Sequence, residues 1–400
     1  MGTRIKEDCY IKVIRTIQKY KLIHENDKIV IAVSGGPDSM CLLEILRKLK
    51  QESCQNGTSP LATFDFVVAH VNHMIREEAK EDEAFVKNYC MKFDIRFFGK
   101  GIDVQHIANT NKMSIEEAGR YARYHFFDEV LQKIGGNKIA IAHNKNDKVE
   151  TMIMNALRGC GVQGLKGIEP IRDKYIRPLI ECDRKEIEAY CEEQQIVPRI
   201  DKTNFENVYT RNKIRNIMIP YIEKEFNPNF IESMNRLSNI VSEQEEYIQK
   251  QVENVYNHIV IEENFYTNLT GKNSLLEQTT DAKVKQTTEQ TIKQMTEQTT
   301  EYMAKHTIEQ TNMKDRKYAK DEEYIILNLK GFNTQEKVIK SNIILYTITR
   351  LFHTTKGIEK IHIEDIIKLC ENNVGNKFLK PNKHLKIFIK NGKIKISKEV

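Results

Sequence analysis

An α/β fold is predicted for the first half of the chain: a doubly wound parallel sheet, followed by a mostly helical and α+β C-terminal region. Two observations predict it. From residue 28 to about 180, apolar β-branched runs alternate with segments of helical period, the pattern of parallel strands covered by helices on both faces. The first run then breaks into a small-residue turn, IAVSGGPDS at 31–39, at the end of a strand, where ligands bind in such sheets.

Lys28 to Val33 (KIVIAV) is apolar without alternation, which suits a central strand buried on both faces. Met40 to Leu49 reads as a helix whose broad apolar face comprises Leu42, Leu43, Ile45, Leu46 and Leu49. Phe66 to Val71 and Lys138 to Ala142 are further strands, and Ile95 to Phe98 a weaker one. Lys80 to Phe93, Ser114 to Ile134 and Asp183 to Gln195 read as helices, the last opened by a capping box of Asp183 and Glu186. Asn227-Pro228-Asn229 marks a boundary before a long helical stretch to about His258. The tripeptide Glu-Gln-Thr recurs at 277, 289, 297 and 309, spacings that match no solenoid unit, in a tract too poor in large apolar residues to build a core. Beyond it, Tyr324 to Leu329 is a strand, Val338 to Phe352 a helix, and Leu385 to Ile396 a hairpin whose Asn391-Gly392 turn suits type I′. The expected domains are 1–225, a nucleotide-binding catalytic domain; 226–271, a helical linker opening the C-terminal domain; 272–320, a low-complexity insert; and 321–400, a C-terminal domain carrying the basic hairpin.

Composition bounds the function. The 400 residues exceed one compact core, 30% are charged, Trp is absent, and no apolar run approaches membrane-spanning length. Eight scattered cysteines without a C-x-x-C pair fit reduced thiols of a cytoplasmic protein better than a disulfide framework or zinc ribbon. The net charge of +6 does not by itself imply an anionic partner. Its placement says more: residues 375–400 hold eight lysines and one acid, suiting either a guarded sheet edge or a phosphate backbone.

Chemistry gathers at the strand ends. Gly35 and Gly36 let backbone amides approach an anion, Ser34 and Ser39 add hydroxyl donors, and the helix from Pro37 aims its N–H groups at the same spot. This is a phosphate cradle without the lysine of a Walker loop. Asp38 beside phosphates requires a cation, and Mg²⁺ held by a carboxylate and phosphate oxygens is the candidate. His70 and His143 also fall at strand ends. In the helix that follows the fourth strand, Asp147 and Glu150 fit a capping box with Asp147 as N-cap, or a pair that binds an ammonium group, holds metal or accepts a proton. Arg120 and Arg123 among aromatics, and Arg211, Lys213 and Arg215 in YTRNKIRN, suit phosphate and base contacts.

Taken together, SGGPDS (34–39), VNHMIR (71–76), EEAGRYARY (116–124), AHNKNDKVETMIMNALRGCGVQGL (142–165), RPLIECDRKEI (177–187) and DKTNFENVYTRNKIRN (201–216) resemble the tRNA(Ile)-lysidine synthetases. These belong to the PP-loop ATP pyrophosphatases, with an adenine-nucleotide α-hydrolase-like fold. The resemblance implies ATP-dependent ligation of free L-lysine to C2 of the wobble cytidine of an isoleucine tRNA with a CAU anticodon. An adenylated cytidine is the intermediate, and AMP and pyrophosphate leave. It implies that Ser34, Gly35, Gly36, Pro37, Asp38 and Ser39 bind ATP, with Mg²⁺ at Asp38. His143 and Asp147 would sit at the reacting centre, and Asp147 with Glu150 would hold the lysine ammonium. It implies that Arg120 and Arg123 would meet the tRNA; by their charge and placement Arg211, Arg215, Lys386 and Lys393 are expected to join them, and a homodimer is left open. Where that family commonly shows His-His-x-Asp-Asp-Gln-x-Glu-Thr, this chain reads His143-Asn144-Lys145-Asn146-Asp147-Lys148-Val149-Glu150-Thr151, with one acid fewer and a lysine gained. Two other classes stay open at this point: a PP-loop enzyme that thiolates tRNA, with Cys160 as its single candidate thiol, and a tRNA-binding protein of this fold without turnover.

Overall fold

The computed structural model describes residues 8–56, 63–74, 79–199, 210–265, 323–372 and 377–399. The tract 272–320 lies outside the described residues. The chain divides into two compact units, Met1–Glu245 and Glu246–Val400.

In the first unit, helix α1 (Cys9–Tyr20) precedes β1 (Asp27–Ala32), α2 (Pro37–Asn56), β2 (Phe64–Asn72), α3 (Ala79–Lys92) and β3 (Phe97–Gly101). Helices α4 (Val104–Asn111) and α5 (Ile115–Lys133) lead to β4 (Lys138–Ala140) and α6 (Lys145–Leu157). A hairpin of β5 (Ile171–Arg172) and β6 (Tyr175–Ile176) follows, then α7 (Arg184–Glu193), α8 (Thr210–Lys213), a π-helical turn, α9 (Ile219–Glu225) and the long α10 (Phe230–Ile259).

The six strands lie in the order β3-β2-β1-β4-β6-β5, all parallel except β5. Strand β1 is central, and Ile29, Val30 and Ile31 are completely buried, as expected of a run without alternation. Ile29 and Ile31 face a core with Leu42, Leu46, Val86 and Ile187 from α2, α3 and α7. Val30 faces the other way, onto Phe126, Phe127 and Val130 of α5. Helices therefore cover both faces. Because the chain passes from β1 outward through β2 and β3 and returns to β4 on the other side of β1, a crevice opens between the ends of β1 and β4. The glycine turn and His143 both emerge there.

Three boundaries differ from the sequence reading. Strand β3 begins at Phe97 because α3 closes with Asp94 in a left-handed conformation (φ 52°), and the Ile95 amide donates back to Cys90 O. The cap of α6 is Asn144, not Asp147: Asn144 Oδ1 accepts from the Asp147 amide at 2.9 Å, and Asp147 Oδ2 accepts from the Asn144 amide at 3.1 Å. Both residue types cap well, and the chain leaving β4 is already extended at Asn144 (φ −111°, ψ −179°), so the helix starts one turn earlier. Helix α10 does follow Asn227-Pro228-Asn229, but the division between units falls inside it at Glu245 rather than at residue 225. Its first turns belong to unit one, where Ile231 is buried with Val149, Ile153, Ile214 and Ile219.

The second unit is a five-stranded antiparallel sheet with two long helices. Its strands are β7 (Val260–Asn264), β8 (Tyr324–Asn328), β9 (Lys377–Asn382), β10 (Leu385–Lys390) and β11 (Lys393–Lys398), in the order β7-β8-β11-β10-β9. Short α11 (Leu329–Asn333) precedes α12 (Lys337–Phe352) and α13 (Lys360–Glu371), whose Ile343, Ile344, Ile348, Ile363 and Ile366 pack on Ile325, Leu327, Ile387, Ile389, Ile394 and Ile396. The β10–β11 turn has positive φ at both Asn391 (50°) and Gly392 (71°), as a type I′ turn requires. This hairpin is interior to the sheet, and β9 and β7 are the edges. Guarding an edge therefore cannot explain Lys386 or Lys393. No helix of the described residues is long and apolar enough to cross a membrane.

Candidate active site

The glycine turn is held from within. Gly35 has φ +93°, a conformation that side chains other than hydrogen resist, so glycine is required there. Gly36 is not strained; a Cβ would meet nothing nearer than Ser34 Oγ at 3.7 Å, so its value is open access. Ser39, expected as a donor to phosphate, is 5% exposed and turned inward. Its Oγ accepts from the amides of Ser34 and Gly35, both at 3.1 Å, and donates to Gly36 O at 3.0 Å. His70 serves the same scaffold: its buried Nδ1 lies 2.9 Å from Val33 O, and burial lowers its pKa, keeping the ring neutral as the donor.

Asp38 stands in the first turn of α2, and its Oδ1 accepts from Asn144 Nδ2 at 2.9 Å across the crevice. Burial and then the nearby charge of Asp147 push its carboxyl up to about 6, against the pull of the Asn144 hydrogen bond. Opposite it, Asp147 and Glu150 are buried on α6, Glu150 completely. An isolated carboxylate so placed would cost several kcal/mol of desolvation.

Arg211 and Arg215 meet that cost: expected to track an RNA backbone, they turn here onto Asp147 and Glu150. Arg211 donates to Glu150 Oε2 at 2.8 Å and Asp147 Oδ1 at 3.0 Å. Arg215 reaches Glu150 Oε1 at 2.5 Å, Glu150 Oε2 at 2.8 Å and Asp147 Oδ1 at 2.8 Å. Their spacing of four along α8 and the π-helical turn puts both guanidiniums on one face, against α6. Burial opposes the charge of Arg211, yet Asp147 and Glu150 outweigh it and raise its pKa; for Asp147, burial is outweighed chiefly by Arg211, and the carboxyl is held below its ordinary range.

His143 closes the site from the end of β4. Arg177 Nε donates to its Nδ1 at 3.1 Å, so Nδ1 is the acceptor and the neutral ring carries its hydrogen on Nε2. Burial, then the charges of Arg177, Arg211 and Arg120, hold its pKa down at about 4 against the pull of Asp147. Arg120 lies 4.7 Å over the Tyr124 ring. The pKa of Arg123 is lowered by burial and by the guanidiniums of Arg120 and Arg211. Among the described residues no carboxylate lies within ion-pair distance of Arg120 or Arg123. The excess of guanidinium over carboxylate gives the crevice a positive field.

Lys148 does not intrude on the site, since its Nζ is spent on Asn235 Oδ1 at 3.0 Å and Asn239 Oδ1 at 3.4 Å. Asn146 Oδ1 accepts from the Arg184 amide at 3.0 Å, and Lys145 pairs with Glu232 at 2.5 Å. The departures at 144, 146 and 148 thus leave Asp38, Asp147 and Glu150 in place. Sequence reasoning missed Arg177, although a strand ending in Arg-Pro beside the others was the available signal. It also missed Arg199, whose amide donates to Gly35 O at 3.0 Å while its side chain grips Asp82 at 3.0 Å and Glu81 at 2.5 Å. Lys386 and Lys393 belong to the second unit. Lys386 Nζ sits 5.7 Å over the Phe378 ring, and Lys393 pairs directly with Lys390 across the hairpin.

A mostly parallel sheet with a glycine turn at its switch point and a cationic crevice beside it defines an α/β fold of the nucleotide-binding kind. Residues 9–222, more than half the chain, match the sequence family described as "PP-loop domain". A tRNA(Ile)-lysidine synthase of Clostridium acetobutylicum is 52% identical over 61% of this chain and 51% of its own length. One from Caldanaerobacter subterraneus is 48% identical over 62% of this chain and 51% of its own length. The corresponding protein of Clostridioides difficile is 36% identical over 97% of this chain and 70% of its own. The chain belongs to the tRNA(Ile)-lysidine synthase family of PP-loop proteins. It matches about half the length of the first two relatives. Among solved structures, a U34-tRNA thiolase of Methanococcus maripaludis matches at 19% identity with a TM-score of 0.46, over 58% of this chain and 80% of that one; a likeness at that level separates no functions.

Proposed function

We propose that this chain ligates lysine to C2 of the wobble cytidine of an isoleucine tRNA with a CAU anticodon, consuming ATP, as a cytoplasmic enzyme. The observation that carries the reading is the convergence of Asp38, His143, Asp147 and Glu150 with Arg211 and Arg215 at the ends of β1 and β4. In the first step the cytidine 2-oxygen attacks the α-phosphorus of ATP and pyrophosphate leaves. In the second, the lysine ε-amine attacks C2 and AMP leaves.

The Ser34–Ser39 turn and the first turn of α2 bind the phosphates. Asp38 suits Mg²⁺: its carboxyl is pushed up to about 6 by burial and by Asp147, a repulsion that a divalent cation relieves. Bound there, Mg²⁺ supplies charge neutralisation of the phosphates. His143, neutral and with Nε2–H free of Arg177, donates a hydrogen bond to charge developing on the cytidine or its leaving group. Arg211 and Arg215 hold Asp147 and Glu150 in position until substrates arrive. Triphosphate draws the guanidiniums toward itself, which releases carboxylate oxygens for the lysine ammonium and for the proton that the amine must lose. The lysines of β10 and β11 contact RNA backbone: Lys390 and Lys393 are like charges set directly opposite, unfavourable until an anion lies between them.

Incubating the protein with labelled lysine, ATP and an isoleucine tRNA transcript tests the proposal. Label should enter the RNA with equimolar AMP and pyrophosphate. RNA that stays unlabelled while sulfur from a thiol donor is incorporated would replace this reading with thiolation.

A further inference from the structure

Beside the crevice lies a second cavity of about 440 Å³, between α5 and the β5–β6 hairpin. It is joined to the reacting centre through Arg177, which lines it and donates to His143. Strand order sets it apart from the phosphate turn. The turn follows β1, His143 follows β4, and the cavity lies at β6 and β5 beyond, so it is not an extension of the phosphate cradle.

Its walls combine three kinds of group. Tyr121, 55% exposed, and Tyr124 and Tyr175, whose rings lie 4.9 Å apart, offer aromatic surface. Arg120, stacked on Tyr124, and exposed Arg172 on the hairpin offer cations. Glu117 and Asp173 offer carboxylates. Glu117 is held by Ser114, which donates from its amide at 3.0 Å and its hydroxyl at 2.7 Å. Asp173 is fixed at the hairpin tip with φ 54°. Aromatic rings stack on a flat base, guanidiniums take its phosphate, and carboxylates, which only accept, take the N–H of its exocyclic amine. A purely anionic ligand would be repelled by Glu117 and Asp173, and a purely apolar one would leave the charged groups of the wall unserved.

We infer that this cavity binds an unpaired, amino-bearing nucleobase of the RNA, adjacent to the nucleotide that reacts at His143. The inference rests on the proposed RNA substrate and deepens it by placing a neighbouring base. It predicts a preference for adenine, cytosine or guanine over uracil, which has no exocyclic amine.

The test uses the full chain and a stem-loop RNA with a CAU loop carrying 2-aminopurine at one loop position at a time. One position beside the reacting cytidine should lose fluorescence on binding. Tyr121→Ala should abolish that quenching and weaken RNA binding about tenfold, since stacking on an aromatic ring is worth about that much. Tyr121→Phe, which keeps the ring, should behave as the wild type. Arg172→Ala should lower the log–log salt slope by roughly 0.7. ATP binding should be unchanged in all three. If the wild type binds the RNA but Tyr121→Ala leaves quenching and affinity as they were, the base is not here, although the RNA substrate survives. If Tyr121→Ala costs ATP affinity instead, the cavity belongs to the nucleotide triphosphate. A wild type that binds no RNA would overturn both readings at once.

Discussion

Asn144 Nδ2 donates to Asp38 Oδ1 at 2.9 Å, tying the cap of the helix after β4 to the first turn of the helix after β1. The same asparagine receives the Asp147 amide, so one side chain aligns Asp38 and Asp147. This alignment makes Asp38 the sharpest point of attack. Asp38→Asn should keep the fold, because an asparagine oxygen can still accept from Asn144. AMP formation should fall by about 10²-fold or more, the usual loss on removing a preorganised charge. Circular dichroism and an AMP assay at ordinary Mg²⁺ check it, and near-normal AMP formation would refute the role.

Arg215→Gln should destabilise the protein by about 3 kcal/mol, because Glu150 would remain buried with much of its compensation gone. The double variant Arg215→Gln/Glu150→Gln should recover part of that loss. Urea unfolding of the four members of the cycle measures the coupling. Additive losses would mean the pair does not interact.

The pH dependence follows from His143. In the folded chain it ionises at about 4, against about 6.5 when unfolded. Between those values the unfolded chain binds the extra proton, so this contribution is complete above about pH 6.5 and is lost as pH falls toward 4. His143→Gln should flatten the melting temperature across that window. An unchanged slope would mean the ring ionises normally.

Lys386, Lys390 and Lys393→Gln should weaken tRNA binding and lower its salt slope by roughly 0.7 to 0.9 for each phosphate contact removed. Saturating tRNA should restore turnover, since no group at the reacting centre is altered. Melting should change little, because the three lysines do not join the buried isoleucine layer. Unchanged affinity and slope would remove the hairpin from the RNA interface.

What could be read from the sequence was local. The β1 run, its glycine turn and the α2 face share one short segment, and each announces itself by period or residue size. The capping box of Asp183 and Glu186 formed as its spacing suggests. The cap of α6 was displaced because Asn144 and Asp147 compete for one position with nearly equal fitness. The bonds of Arg211 and Arg215 to α6 cross more than sixty residues of chain, and no periodicity encodes such a meeting. Strands β5 and β6 have two residues each, too few to show alternation, which hid the hairpin that walls the second cavity.

Ser39 has a thermodynamic consequence for nucleotide entry. By collecting the amides of Ser34 and Gly35 on its own oxygen, it fixes the turn before any ligand comes. Little chain entropy is then left to lose, so association should show a small ordering penalty. The two amide protons should exchange slowly with solvent deuterium even without ATP, and adding ATP should slow them little further. Ser39→Ala would free them, turning a rigid receptacle into one that must be ordered anew at each encounter.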